Sequence, residues 1–330
     1  MKKILYLITT VIILFVILFI AKENRTQTVN ETFLYFDTFI KLEFSRNKNT
    51  DPVTIREKVD KELNRIDSIY GYGANTLAAQ LLKEKNGLII TSEQYYILKK
   101  CLDIASLTDG AFDITVGSLK RIWDFNQQEK HIPSKEKIEY ALSKVDYHNI
   151  ILGNSFVSLK EDKCVLDMGG IAKGYALDRI VDILKNEGIT AGIVDAGGDL
   201  KIFGKKHNNE RWCIGIVNPR KPAKIFRKIY IDSGAVATSG DYERYFIKDG
   251  IRYHHILNPK TGYPARKCIS VTVVSETGII ADALATGIFV LGPQNGMELV
   301  KKINGVDALI MFMENDSLKI IKSRGINLEE

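Results

Sequence analysis

The chain has 330 residues, a net charge of +6, 45% hydrophobic residues and 26% charged ones. That length holds one large domain or two ordinary ones, and the composition is that of a globular protein with a real core. The lysines are spread along the chain rather than gathered with aromatics, which argues against nucleic acid as the main partner.

Lys2 and Lys3 precede a continuous apolar run from Ile4 to Ala21. At about 1.5 Å per residue such a run can span a bilayer. No Ala-x-Ala site or cysteine follows it, so residues 1–21 are expected to be an uncleaved transmembrane anchor. The lysines then lie in the cytoplasm and the domain outside the cell membrane. A cleaved signal peptide is the alternative. Residues 22–31 read as a polar tether.

Thr32–Phe44 alternates and is aromatic, the pattern of a strand. Ile55–Tyr70 has Val59, Leu63, Ile66 and Ile69 at helical spacing, and Tyr70-Gly71-Tyr72-Gly73 follows as a turn whose rings could stack on a flat ligand. Leu77–Lys85 and Glu93–Thr108 read as helices. Ala111-Phe112-Asp113 lies in a small loop that runs to Gly117. Ser134 is placed to cap a helix ending near Lys144, and Val145–Leu159 is strand-rich.

Cys164–Asp182 reads as strand, tight turn and helix. Gly169 and Gly170 would let the backbone approach a ligand or adopt positive φ. Lys173 beside a helix start favours phosphate. The stretch fits neither G-x-G-x-x-G nor a Walker loop, so a purely structural junction stays open at this point.

Gly192–Leu200 reads as a buried strand broken by glycines, and Trp212–Val217 and Lys228–Ile231 as strands. The mixed order of strands and helices, without regular β-α-β alternation, predicts an α+β domain with a largely antiparallel sheet. Four single cysteines form no C-x-x-C pair; Cys164 and Cys213, in apolar runs, read as buried.

Three later clusters are dense in polar residues. Gly234–Tyr242 reads as a loop whose hydroxyls and N–H groups bind a ligand. Adjacent His254 and His255, if in a strand, point to opposite faces, so one can face a site. Asp282 and Thr286 are four apart, hence on one helical face, and offer two hard oxygens suited to Mg²⁺.

In this order, D-M-G-G-I-A-K-G-Y-A-L-D, A-G-G-D, A-T-S-G-D-Y, H-I-L-N-P-K-T-G-Y-P and A-D-A-L-A-T-G-I-F-V-L-G resemble the ApbE family of FAD:protein FMN transferases. The resemblance implies a single compact T-fold-like domain over residues 32–323, with 324–330 as a tail. It implies Mg²⁺-dependent transfer of FMN from FAD to a threonine or serine hydroxyl, with release of AMP. The acceptor would be an exported Rnf- or Nqr-like, or other FMN-binding, redox subunit. Carried over by position, Asp282, Thr286 and the Gly170 carbonyl would hold Mg²⁺. Asp167, Lys173, Ala111, Phe112, Asp113, Phe36, Tyr70 and Leu257 would touch FAD, and His255 would be the general base, near its ordinary pKa of about 6.5. Asn258 stands where relatives often carry aspartate, and the Ser-Glu that usually follows the tyrosine is missing after Tyr70. Mg²⁺-dependent hydrolysis of FAD and non-catalytic flavin binding are the competing readings.

Overall fold

The most apolar stretch of the described chain, Gly278–Leu291, is a helix buried along most of its length. A helix apolar on every side belongs in the interior. The computed structural model describes residues 27–329, except 47–49, 85, 126–128, 161–163 and 207–209. In chain order the strands are β1 (Gln27–Tyr35), β2 (Thr38–Arg46), β3 (Leu88–Ile89), β4 (Ile150–Gly153), β5 (Phe156–Leu159), β6 (Gly192–Ala196), β7 (Asp199–Phe203), β8 (Trp212–Asn218), β9 (Lys221–Ile231), β10 (Gly234–Gly240), β11 (Tyr245–Lys248), β12 (Ile251–His254), β13 (Ser270–Ser275), β14 (Asp307–Glu314) and β15 (Ser317–Lys322). The helices are α1 (Pro52–Tyr70), α2 (Leu77–Lys83), α3 (Ser92–Leu107), α4 (Gly117–Trp123), α5 (Lys135–Leu142), α6 (Ala172–Asn186), α7 (Gly278–Leu291) and α8 (Pro293–Val300).

Eight strands form one sheet in the order β1-β2-β6-β7-β10-β13-β14-β15, and its ladders are antiparallel. The expected α+β architecture with a largely antiparallel sheet is what forms. On one face α7 lies across β10 and β13 and packs against α6, which packs on α1. Fully burying each Leu, Ile or Phe of this layer contributes roughly 1.5–3 kcal/mol. The β8–β9 ribbon covers the other face, where Trp212, Ile214 and Ile216 meet Ile202, Val236 and Met311. A third cluster of Leu119, Trp123, Phe246 and Tyr253 joins α4, α5 and the β11–β12 hairpin.

Several local expectations are corrected. Thr32–Phe44 is not one strand but the β1–β2 hairpin, turned at Phe36 and Asp37 with φ of 53° and 56°. Paired left-handed residues are what a two-residue hairpin turn demands, but the usual Asn-Gly signal is missing there. Gly192–Leu200 is likewise the β6–β7 hairpin, turned at Gly197 and Gly198. The run before Asp167 holds a single bridge, Val116 with Val165, rather than a strand. Gly234–Gly240 is a sheet strand, not a loop. Cys213 is exposed, because it sits on the outward side of the ribbon, while Cys164 is buried. β1 starts at Gln27, inside the stretch read as a tether. The tail is tied down by Ile326 in the ribbon core and by the Lys228–Glu329 bridge. Residues 1–21, read as an anchor, lie outside the described residues; among those described, no helix is long and apolar enough to cross a membrane.

Candidate active site

The site begins where α6 and α7 meet at their first turns. A Cβ on Gly174 would lie 2.2 Å from the Gly278 carbonyl oxygen, and one on Gly278 would lie 2.3 Å from that of Gly174. The backbones therefore touch, which only two glycines permit. α7 has no side-chain cap of its own. Asp178 of α6 caps it instead, accepting from Gly278 N at 2.8 Å and Ile279 N at 3.0 Å, so its negative charge meets the positive helix end.

This crossing sets Asp282, the sole charged residue of α7, against α6. Its Oδ2 accepts from Gly174 N at 3.0 Å, taking the N–H that an unbroken helix would give to the Gly170 carbonyl. Among the described residues no backbone N–H donates to that carbonyl. Asp282 Oδ1 lies 3.8 Å from Lys173 Nζ, beyond hydrogen-bonding distance. Thr286 follows one turn later, its Oγ1 3.3 Å from Ser239 Oγ. A Cβ on Gly170 would sit 3.4 Å from Thr286 Oγ1 and 3.3 Å from the Phe112 ring. Neither Gly169 nor Gly170 has positive φ. The pair is glycine for closeness, not for backbone conformation, contrary to one half of the expectation.

Burial, reinforced by Asp199, raises the Asp282 pKa to about 6 in spite of Lys173. Burial acts to lower the Lys173 ammonium, but Asp199, to which it is bonded, and Asp282 outweigh it and hold its pKa high. Asp199 also accepts from Thr238 N at 3.0 Å, tying β10 to this cluster.

Asp282, Thr286, Gly170 and Lys173 line a recess of about 90 Å³, together with Ala111, Phe112, Asp113, Asp167, His255 and Leu257. Ten of the twelve candidate residues thus converge from four segments. Asp113 is engaged in holding its own loop: it accepts from Thr115 N at 2.8 Å, Thr115 Oγ1 at 2.6 Å and Tyr147 N at 2.9 Å. Burial raises its pKa. The recess opens into an outer cleft of about 410 Å³, which shares Lys120, Asp167 and His255 with it. Asp167 accepts from Gly169 N at 2.8 Å and pairs with Lys120 at 3.0 Å. Burial works against the Lys120 charge, yet Asp167 and Tyr72 hold its pKa above the ordinary lysine value.

The two histidines part as expected at the end of β12. His254 is buried, its Nε2 2.6 Å from the Ala265 carbonyl and its ring edge-on to Phe289. His255 faces the site; its Nδ1 is sealed from solvent and has no hydrogen-bond partner. Burial, then Lys120, His254 and Arg244, push its pKa down to about 3, well below the value of 6.5 expected for it. The imidazole is neutral across the working range.

Two chosen residues are not in the cleft lining. Tyr70 is core, 2% exposed, with its hydroxyl 3.2 Å from Glu93 and its ring edge-on to Tyr175. As the last residue of α1 it faces inward with Val59, Leu63 and Ile66. Tyr72, two residues on, lines the outer cleft, and its hydroxyl would be 3.0 Å from a Cβ on Gly169. Phe36 sits at the β1–β2 turn, packed against the core, and lines neither space. Lys120, Thr238, Ser239 and Glu243 also line the recess, beyond the residues the sequence points to. Thr238 and Ser239 lie in a stretch singled out for its hydroxyls; Lys120 carries no local signal. A larger open concavity of about 1290 Å³, between α3, α6 and the far end of the sheet, holds none of the chosen residues.

Residues 36–310 match the profile of the ApbE family. A relative from Treponema pallidum, named FAD:protein FMN transferase, is 34% identical over 245 residues, 68% of this chain and 67% of its own. One of the same name from Escherichia coli is 30% identical over 276 residues, covering 80% and 78%. Among solved structures, the ApbE protein of Thermotoga maritima superposes with a TM-score of 0.82 at 37% identity, over 91% of this chain and 98% of that one. The flavin transferase ApbE of Vibrio cholerae gives 0.84 at 25% identity, over 91% and 98%. With the profile spanning most of its length and relatives at this identity, the chain belongs to the ApbE family.

Proposed function

We propose that the protein transfers FMN from FAD to a threonine or serine hydroxyl of an exported redox subunit and releases AMP, with Mg²⁺ in the recess. The observation that carries this is that Asp282, Thr286 and Gly170 line one recess, with the Gly170 carbonyl left without an N–H donor by the Gly174–Asp282 bond. Among the described residues no three His, Cys, Asp or Glu side chains are gathered to chelate an ion. Mg²⁺ suits such a sparse oxygen set, since it keeps places for waters and substrate phosphates. When bound, it supplies Lewis-acid neutralisation of phosphate charge. The buried Asp282 carboxylate also favours an added cation, because Lys173 already serves Asp199.

The chain's own groups do the rest. Lys120 and Lys173 offer positive charge to the diphosphate, and Tyr72 offers a flat face to a ring system. The acceptor oxygen attacks the phosphorus of the FMN half while the bond to the AMP oxygen breaks. The hydroxyl proton passes to the neutral His255 ring, and AMP departs. Positioning and charge compensation dominate in such transfers. The lowered pKa means that His255 is not already protonated near neutral pH, so it can accept a proton; negative phosphate beside it makes it more basic. In this reading residues 1–21 anchor the domain on the outer side of the membrane, where an exported acceptor would meet it.

The test is incubation of the protein with FAD, Mg²⁺ and an FMN-binding redox domain bearing one acceptor threonine. Mass spectrometry should find an FMN adduct on that threonine and free AMP, both abolished by chelator. Free FMN with an unlabelled acceptor would establish a hydrolase instead.

A further inference from the structure

A second cleft adjoins the recess. Thr238 and Glu243 on the recess wall also line this cleft, of about 440 Å³. Five consecutive residues of β8, Cys213 to Val217, form one side of this cleft, and β9 contributes none. Successive strand residues point to opposite faces, so a space touched by five in a row runs along the strand's edge. Among the described residues β8 has a ladder only with β9, so the edge along the cleft is unpaired. The sheet opens opposite it: the β7–β10 ladder stops at Val236–Leu200, before Thr238. The far end is fixed, because Arg220 in the β8–β9 turn holds Asp241 through two bonds of 2.6 and 2.7 Å.

An unpaired edge presents a row of N–H and C=O groups, which an extended chain can complete as an added strand. Charge separates the occupants. The outer cleft carries Lys120, Arg121 and Arg244 beside Asp124 and Asp167, whereas the β8 cleft carries Asp195 and Glu243 and no lysine or arginine. A diphosphate belongs with the cations. That leaves the β8 cleft for an uncharged or basic peptide.

Resting on the transferase reading, we propose that an extended segment of the acceptor protein docks along the free edge of β8 and delivers its hydroxyl into the recess between Thr238 and Glu243. Cys213 is a built-in probe, being exposed while Cys101, Cys164 and Cys268 are buried. The folded protein is alkylated there with a bulky maleimide, and Val217→Asp is made separately. The KM for the acceptor domain is compared with the Kd for FAD, read by flavin fluorescence. Both modified proteins should show an acceptor KM raised at least roughly tenfold, with FAD affinity unchanged. An unchanged acceptor KM overturns the docking inference alone. So does weakened FAD binding, which would place the nucleotide in this cleft. If the unmodified protein releases FMN and never labels the acceptor, the transferase reading falls, and the docking inference with it.

Discussion

The recess and the outer cleft share three residues yet are built in opposite ways. The recess is made where two buried helices touch backbone to backbone at Gly174 and Gly278, and its Asp282 is 5% exposed. The outer cleft is walled in part by a turn, where Tyr72 is 65% exposed. The first region is fixed by close packing, which tolerates little change. The second can adjust to a large flat ligand. In the proposed function, chemistry falls to the rigid part and recognition to the adaptable one.

That contrast can be broken by experiment. Asp282→Ala should lower kcat by on the order of a thousandfold, as expected for loss of several kcal/mol of charge stabilisation, while the fold is retained by circular dichroism. Full activity in this variant would remove the recess from the chemistry. Gly174→Ala should destabilise the protein by about 3 kcal/mol in denaturant titration, because the new methyl meets the Gly278 carbonyl. A mild effect there would show that the helix crossing is not rigid. Tyr72→Ala should weaken FAD binding by roughly tenfold with kcat little changed. Tyr70→Phe should leave FAD affinity intact and cost about 1 kcal/mol of stability, the value of its bond to Glu93. The reverse order of these two would place the flavin contact at Tyr70.

A further effect is in pH dependence. His254 and His255 both have folded pKa values below 6.5, chiefly through burial. The unfolded chain binds protons first on acidification, so their stabilising contribution is full above pH 6.5 and is lost as pH falls below it. Denaturation midpoints above and below pH 6.5 should therefore differ less in His255→Asn than in the parent protein. An equal difference would mean that His255 is not held neutral by the fold.

Much of the site was legible from residue order. Asp282 and Thr286 needed only helical spacing to share a face, and the antiparallel sheet followed from the irregular succession of strands and helices. The family resemblance placed Asp167, Lys173 and His255, which the structure brings together. The choice between Tyr70 and Tyr72 was not legible, since both flank one glycine. The inward face of α1 ends at Tyr70, so Tyr72 is the one that lines the outer cleft. Lys120 was invisible for a different reason: its partner Asp167 is distant in sequence, and nothing local marks the pair.

Sequence alone determined the main helices, the face shared by Asp282 and Thr286, and the family. These depend on periodicity and on motifs within single segments. Tertiary structure alone decided that Gly174 serves helix contact, that its N–H leaves Gly170 for Asp282, and that His255 stays neutral. Each of those depends on distance between segments far apart in the chain, and burial and Coulomb energy act through space rather than along sequence.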